Sequence, residues 1–274
     1  MFLIQKSNHA HRRLNQTGHL IRFYHYIIFR ERFVHFQFPQ RIKKNEFYTA
    51  TFKPKRMYLV KTPRFIQNLF PNFTWNIPSQ DKVIYLTFDD GPIPEVTPWV
   101  LEQLEQFEAK ATFFCVGDNI KKHRAVFDLV KEKGHVVGNH SINHLDGWTT
   151  DNISYFHNVR RCAHLVKTDL FRPPYGRLKP QQAQFLQRHY RIVMWDVLSG
   201  DFDPKISEEH CYGNVINNVK PGSIVVFHDS IKAWDKMHKV LPRVLEYFSE
   251  QGYRFESLQE QRLTESSPLH SMAS

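Results

Sequence analysis

The chain has 274 residues, of which 41% are hydrophobic and 14% aromatic, and this composition excludes a disordered or fibrous protein. Its formal charge of +10 comes from one end, because residues 1–56 carry 12 Lys and Arg against 2 Asp and Glu, and the remaining 25 of each sign cancel. The basic charge therefore indicates nothing about a partner for residues 57–274.

Residues 1–56 are rich in His, Arg, Phe and Tyr, and their apolar residues follow no sustained period. The longest apolar patch, Phe23 to Phe29, is far shorter than the roughly 20 residues of a membrane span, and no secretory signal is recognisable. Three interpretations stay open: a basic arm for nucleic acid or anionic lipid, an Arg-rich targeting extension, or a stretch foreign to the natural protein. Because the composition changes abruptly at Met57, we expect the natural protein to begin there and residues 57–274 to form one domain.

The three cysteines are widely spaced and form no CxxC pair. This spacing predicts neither a disulfide framework nor a zinc finger. We expect Cys115, Cys162 and Cys211 to be small buried hydrophobic residues of a protein kept in a reducing compartment.

From residue 82 onward, short apolar runs alternate with longer amphipathic ones, which is typical of βαβ units. Strands are predicted at Val83–Phe88, Ala111–Val116, Val136–Asn139, Leu170–Pro173, Arg191–Val197, Ser223–His228 and Tyr253–Ser257. Helices are predicted near 97–107, 120–133, 151–168, 180–188, 207–219 and 236–251, with stops at Gly134 and Gly252. The pattern favours an α/β fold, a distorted or incomplete (β/α) barrel of about seven parallel strands, over an open doubly wound sheet.

Polar residues follow the predicted strands at the ends where active sites of such folds lie. They are Asp89 and Asp90, His140 and His144, Arg172 and Tyr175, Asp201, and His228. Since the carboxyl ends of parallel strands open on one face, we expect these side chains to converge on one pocket.

The stretch IYLTFDDGP, at 84–92, ends an apolar strand in two adjacent carboxylates. Two like charges repel, and burying either is costly without a cation nearby. One carboxylate can bind a metal ion while its neighbour, which points elsewhere, takes a proton from water. The alternative is a turn or helix-capping Asp-Asp-Gly.

The stretch HSINH, at 140–144, places two imidazoles at i and i+4, where one side of a helical turn could hold a metal ion. With 16 histidines in the chain, a chance HxxxH is expected roughly once, so the spacing alone decides nothing. A carboxylate at the end of another strand strengthens the prediction, because two His and one carboxylate leave a coordination position open. Without it, ordinary surface or core histidines remain the alternative.

Two further stretches suggest a group that stabilises an oxyanion and a general acid that donates a proton. In FRPPYG, at 171–176, the prolines remove donors, so the Tyr175 amide is one of the few left to bind an oxyanion, and Arg172 could hold a carboxylate. The strand IVVFHD delivers His228 at its tip as a candidate general acid, which Asp201 could orient. Each stretch alone is more often structural than catalytic.

Together, TFDDGP, HSINH, RPPYG, WDVLSGDF and VVFHD resemble, in order and spacing, the five motifs of the polysaccharide deacetylase family, carbohydrate esterase family 4. The resemblance spans roughly residues 80–260. It implies a distorted (β/α) barrel and a divalent metal ion, usually zinc and sometimes cobalt or nickel. The implied activity is hydrolysis of N-acetyl, occasionally O-acetyl, groups on chitin oligomers or peptidoglycan, so an acetylated carbohydrate is the expected partner.

By position, the resemblance implies a role for each candidate. The metal ligands are Asp90, His140 and His144; the catalytic base is Asp89, held by Arg172; the oxyanion donor is the Tyr175 amide; and the general acid is His228, tethered by Asp201. A non-catalytic carbohydrate-binding module on the same fold is the alternative. It predicts the loss of a base, metal or acid position, and the sequence retains them all.

Two of the five motifs depart from the family pattern. The fourth motif, usually Asp-x-x-Asp-Trp, has Leu198 in place of its first Asp and Phe202 in place of its Trp, and the fifth has Val226 where Leu is usual. The substrate groove is therefore expected to differ more than the chemistry. We expect no nucleic-acid partner and no transmembrane segment; the default location is cytoplasmic, with an extracytoplasmic or cell-envelope role as the alternative.

Overall fold

The computed structural model describes residues 58–258. In this part of the chain the strands are β1 Val83–Asp89, β2 Ala111–Cys115, β3 Val136–Asn139, β4 Leu170–Phe171, β5 Arg191–Ile192, β6 Val197–Leu198, β7 Ile224–His228 and β8 Arg254–Phe255. The α-helices are α1 Arg64–Leu69, α2 Thr97–Gln106, α3 Gly117–Lys122, α4 Arg124–Glu132, α5 Asn152–Val166, α6 Pro180–Leu186, α7 Glu208–Ile216 and α8 Trp234–Glu250, and a 3₁₀ turn spans Pro174–Gly176.

The strands form one sheet in the order β5-β4-β3-β2-β1-β7-β6, and β8 pairs with the start of β1. Every adjacent pair in the described part of the sheet is parallel. Helices separate most consecutive strands along the chain, because parallel strands need a long crossover connection. The predicted incomplete (β/α) barrel is confirmed.

One predicted strand, Arg191–Val197, is wrong as a single element. Its ends form β5 and β6, which lie at opposite edges of the sheet. Only residues 193–196 separate them, so the two edges are at most about 18 Å apart, and the sheet must curl for so short a segment to span the gap. The preceding chain helps to fill this gap, since Thr74 bridges to Val193 and Lys61 bridges to Val197.

The central strands are buried on both faces, which explains their continuous apolar runs. Phe88 of β1 stacks on Phe113 of β2 and Phe227 of β7, with ring centroids 5.0 and 6.1 Å apart. Aromatic contacts of this kind add to the free energy gained by burying the rings. The core therefore fixes the strand whose end carries Asp89.

The predicted helices near 97–107, 151–168, 180–188, 207–219 and 236–251 are present with small shifts in their bounds. The helix predicted near 120–133 begins earlier and breaks at His123, whose non-helical φ and ψ of −128° and 50° separate α3 from α4. Gly134 and Gly252 follow helix ends with φ of 75°, the left-handed conformation that glycine adopts most easily. Helix α1 was not predicted.

Residues 1–56 lie outside the described residues, so the start at Met57 stays a prediction. Cys115, Cys162 and Cys211 are buried and free, as expected. Among residues 58–258, no helix is both long and apolar enough to span a membrane.

Candidate metal and catalytic site

The predicted site residues lie at the carboxyl end of the sheet. Asp89, the last residue of β1, is paired in register with His228, the last residue of β7. Arg172 directly follows β4, and His140 directly follows β3. Parallel pairing thus brings together residues that are 139 positions apart in the sequence, numbers 89 and 228.

The HSINH stretch is not a helical turn, and this part of the prediction is wrong. It is a loop in which Ser141 and His144 have positive φ values of 63° and 56°. Asparagine side chains replace helical hydrogen bonds: Asn139 Oδ1 accepts from the Ser141 amide, and Asn158 Oδ1 accepts from the amide of Ile142. These contacts hold the two imidazoles together without a helix.

Asp90, His140 and His144 form a cluster that could hold a metal ion, with one ligand atom from each residue within 4.8 Å of the others. Oδ1 of Asp90 lies 3.7 Å from Nε2 of His140 and 3.1 Å from Nε2 of His144. This buried oxygen makes no hydrogen bond of acceptable geometry to any described residue. A buried acceptor left in this way, facing two imidazole nitrogens, fits a bound cation.

The tautomer of His140 supports the same fit. Nδ1 of His140 lies 2.8 Å from the carbonyl oxygen of Arg172, which can only accept a hydrogen bond, so Nδ1 carries the proton. The lone pair of Nε2 therefore faces Asp90, as metal-binding histidines require. Burial lowers the pKa of His140 to about 4, so the ring is neutral at pH 7.

The carboxylate of Asp90 is charged at neutral pH. Burial acts to raise its pKa, but the imidazole of His144, with those of His228 and His140, outweighs this effect and lowers the pKa below the usual range. Two imidazole nitrogens and one carboxylate form the ligand set of many catalytic zinc sites.

The Asp89 carboxylate pairs with Arg172, so the two adjacent carboxylates have different partners. Nη1 of Arg172 donates to Oδ1 of Asp89 over 2.7 Å, and both side chains are buried. The same Nη1 also donates to Oγ1 of Thr87, two residues earlier on β1. Sequence reasoning missed Thr87; its place on the same face of the strand as Asp89 was the available signal.

His228 is held by Asp201 through two contacts. Oδ1 of Asp201 lies 2.8 Å from Nδ1 of His228, and Oδ2 accepts the His228 amide over 2.7 Å. Burial acts to lower the pKa of His228, but the charge and hydrogen bond of Asp201 outweigh it and raise the pKa to about 9. The imidazole is therefore protonated at pH 7, with Nε2 left to reach a substrate. Phe202, at the position of the usual Trp, packs edge-on against this ring, with centroids 5.0 Å apart.

Tyr175 lies in the 3₁₀ turn with φ of 59° and ψ of 9°, a conformation unusual for a residue other than glycine. Its ring packs edge-on against His144, with centroids 4.6 Å apart, and is half exposed. The structure therefore places Tyr175 directly beside the cluster of potential metal ligands.

Comparison with known proteins agrees with this geometry. The sequence model of the polysaccharide deacetylase family matches residues 76–190. A peptidoglycan-N-acetylglucosamine deacetylase of Bacillus cereus is 32% identical over 197 residues, covering 68% of this chain and 91% of the relative. A chitooligosaccharide deacetylase of Azorhizobium caulinodans is 33% identical over 162 residues, covering 56% of this chain and 76% of the relative.

Solved structures share the fold. The crystal structure of the Bc1960 peptidoglycan N-acetylglucosamine deacetylase superposes with a TM-score of 0.64 at 28% identity, covering 68% of this chain and 91% of that one. A pseudoenzyme of carbohydrate esterase family 4 from Bacillus anthracis has a TM-score of 0.57 at 23% identity, covering 67% of this chain and 66% of that one. At this identity the comparison supports a shared fold and nothing more. Deacetylases of this family use a divalent metal ion, and the cluster at Asp90 fits one. The chain belongs to the polysaccharide deacetylase family, and the two relatives compared above are hydrolytic deacetylases.

Proposed function

We propose that the chain is a metal-dependent hydrolase that removes N-acetyl groups from a carbohydrate such as a peptidoglycan glycan or a chitin oligomer. One observation carries the proposal: the Asp90, His140 and His144 cluster shares the carboxyl end of the sheet with a candidate base, Asp89, and a candidate acid, His228. Fold similarity alone would not carry it, because a fold hosts members with and without activity.

The cluster would hold the metal ion through Oδ1 of Asp90 and Nε2 of each histidine. Zinc is the proposed ion, since imidazole and carboxylate donors suit it, with cobalt or nickel as substitutes. When bound, such an ion supplies Lewis-acid chemistry: it polarises a carbonyl oxygen and lowers the pKa of water.

The side chains around the cluster supply the proton transfers. Asp89, fixed by Arg172, accepts a proton from the water whose oxygen attacks the acetyl carbon. The Tyr175 N–H donates to the oxygen that becomes negatively charged. His228 then gives its proton to the nitrogen as the carbon–nitrogen bond breaks, which yields acetate and a free amine.

The Asp201–His228 pair suits the acid role. A general acid must be protonated before it acts, and the pKa of about 9 keeps the His228 imidazole charged at pH 7. Because Asp201 occupies Nδ1 and the main-chain amide, the ring cannot rotate freely, and its other nitrogen is aimed by the same contacts. A base and an acid on neighbouring strands can serve opposite sides of one scissile bond.

The substrate class comes from the relatives. Two of them are named for peptidoglycan N-acetylglucosamine and chitooligosaccharides, and both names describe N-acetylated sugars. We propose the same class for this chain, with an O-acetylated glycan such as acetylated xylan as the alternative. Phe202 at the position of the usual Trp changes one wall beside His228, so the preference among these sugars is expected to differ from that of relatives.

A screen of acetate release tests the proposal. The metal-free protein is loaded with zinc, cobalt or nickel and incubated with chitin oligomers, peptidoglycan fragments and acetylated xylan. We expect release from at least one N-acetylated substrate. His140→Ala should lose this release, whereas the control His157→Ala, which changes an exposed histidine of α5, should retain it. No release from any substrate with any metal would contradict the proposal and favour the non-catalytic carbohydrate-binding module.

A further inference from the structure

The metal ligand Asp90 has a backbone conformation that its surroundings must hold. Its φ is 82°, a value that residues other than glycine seldom adopt and that costs free energy. Three hydrogen bonds fix the main chain at this point. Asn119 Nδ2 donates to the Asp90 carbonyl over 2.7 Å, the Val116 amide donates to the Gly91 carbonyl over 3.0 Å, and the Gly91 amide donates to Oδ1 of Asp229 over 3.0 Å.

Asp229, which accepts the third of these hydrogen bonds, is 1% exposed. Both oxygens of its carboxylate accept hydrogen bonds. Oδ2 of Asp229 accepts from Oγ1 of Thr97 over 2.6 Å, and Oγ1 of Thr97 in turn accepts from the amide of Ile93 over 2.8 Å. One buried side chain thus joins the start and the end of the loop that follows the two site carboxylates. Buried polar groups satisfied in this way fix a single geometry.

Asp229 also connects this loop to the strand of the candidate acid. It directly follows His228, and its amide donates to the carbonyl of Asp89 over 3.1 Å. The fit is close, because a Cβ added to Gly91 would lie 1.9 Å from Oδ2 of Asp229. Glycine is therefore required at 91 for the carboxylate to approach the main chain.

We propose that Asp229 is a positioning residue of the metal site: by binding the Gly91 amide and the Thr97 hydroxyl, it holds Asp90 in the conformation that aims its carboxylate at His140 and His144. The inference rests on the proposed function, since the position of Asp90 affects catalysis only if the cluster holds the catalytic metal ion. Residues that orient a metal ligand typically change metal affinity or activity by about 10–100-fold when mutated.

Zinc affinity, measured by competition with a chromogenic chelator at a temperature where every variant is folded, tests the proposal. Asp229→Ala is expected to weaken binding by about 10–100-fold. Thr97→Val, which removes the second contact, should weaken it in the same direction, whereas Thr97→Ser keeps the hydroxyl and should restore it. The control is Asp81→Asn, an exposed carboxylate before β1, which should bind zinc as the unmodified protein does.

If Asp229→Ala fails to fold, the comparison of Thr97→Val with Thr97→Ser still tests the proposal. A residue that only stabilises the fold would lower the unfolding temperature without changing zinc affinity in the folded protein. Equal zinc affinity in Asp229→Ala and the unmodified protein, or in Thr97→Val and Thr97→Ser, would overturn the proposal. Because zinc binding needs no substrate, failure of acetate release on every sugar would count against the proposed function and leave this result intact.

Discussion

Nη1 of Arg172 donates a hydrogen bond of 2.7 Å to Oδ1 of Asp89, and neither side chain is open to solvent. The guanidinium has two further partners, since Nε donates to the carbonyl of Val193 and Nη2 donates to the carbonyl of Met194. A buried ion pair is tolerated when its remaining donors have partners. Arg172 therefore holds the candidate base at a fixed place beside the cluster of Asp90, His140 and His144.

Arg172→Leu is expected to lower the free energy of unfolding by about 3–5 kcal/mol, because it leaves the Asp89 carboxylate buried without its cation. Urea denaturation measures the change. Arg124→Leu is the matched control, since Arg124 pairs with Asp128 on the exposed face of α4 and should leave the unfolding midpoint almost unchanged. Equal losses in the two variants would show that the buried pair has no special weight.

Metal binding is expected to stabilise the folded chain. At a free zinc concentration 100 times the dissociation constant, linkage gives about 2.7 kcal/mol of added stability, because the unfolded chain lacks the assembled cluster. His144→Ala should abolish the rise in unfolding temperature on adding zinc, and His157→Ala, on the exposed face of α5, should retain it. A zinc-dependent rise of the same size in His144→Ala would place the ion elsewhere.

The Asp201–His228 pair predicts a pH-dependent stability in the metal-free protein. The folded-state pKa of His228 is raised from 6.5 to about 9, so folding favours the protonated imidazole. The pair therefore contributes fully below pH 6.5, and its contribution is lost as the pH rises through 9. Asp201→Asn should thus lower the free energy of unfolding markedly at pH 6 and little at pH 10.

Unfolding of the unmodified protein and Asp201→Asn at a series of pH values checks this prediction. The exposed Asp81→Asn is the control and should differ from the unmodified protein by a constant amount. If the difference for Asp201→Asn is also constant between pH 6 and pH 10, the charge on His228 does not depend on Asp201 in the folded state.

Much of the fold could be predicted because its signals are local. The apolar runs that end at Asp89 and His228 are strands, and parallel pairing explains why residues far apart in sequence share one face. Gly134 and Gly252 mark helix ends through a conformation that glycine adopts at low cost.

Long-range contacts limited the prediction elsewhere. The run from 191 to 197 has strand composition throughout, yet the buried carboxylate of Asp196 binds Ser223 Oγ, the Ile224 amide and the ammonium of Lys61. These partners lie from 27 to 135 positions away, so no local pattern indicates them. They fix the chain between β5 and β6 outside a regular strand.

The site was also predictable where its signals are local and unpredictable where long-range contacts decide the geometry. Residue types at strand ends indicated which groups meet, but the positive φ values of Asp90, His144 and Tyr175 have no signature in sequence. Such conformations persist only where neighbouring contacts hold them. For Asp90 one of these contacts comes from Asp229, the last residue of the VVFHD stretch, whose role no local sequence pattern indicates.

The central claim is that Asp89 moves a proton while Asp90, His140 and His144 hold the metal ion. The most direct test measures bound zinc and acetate release in the same samples of the unmodified protein, Asp89→Asn and His140→Ala. We expect Asp89→Asn to keep its zinc and lose about 10²–10⁴-fold in rate, the usual contribution of a general base, and His140→Ala to lose zinc first. Near-full acetate release by zinc-loaded Asp89→Asn would contradict the account.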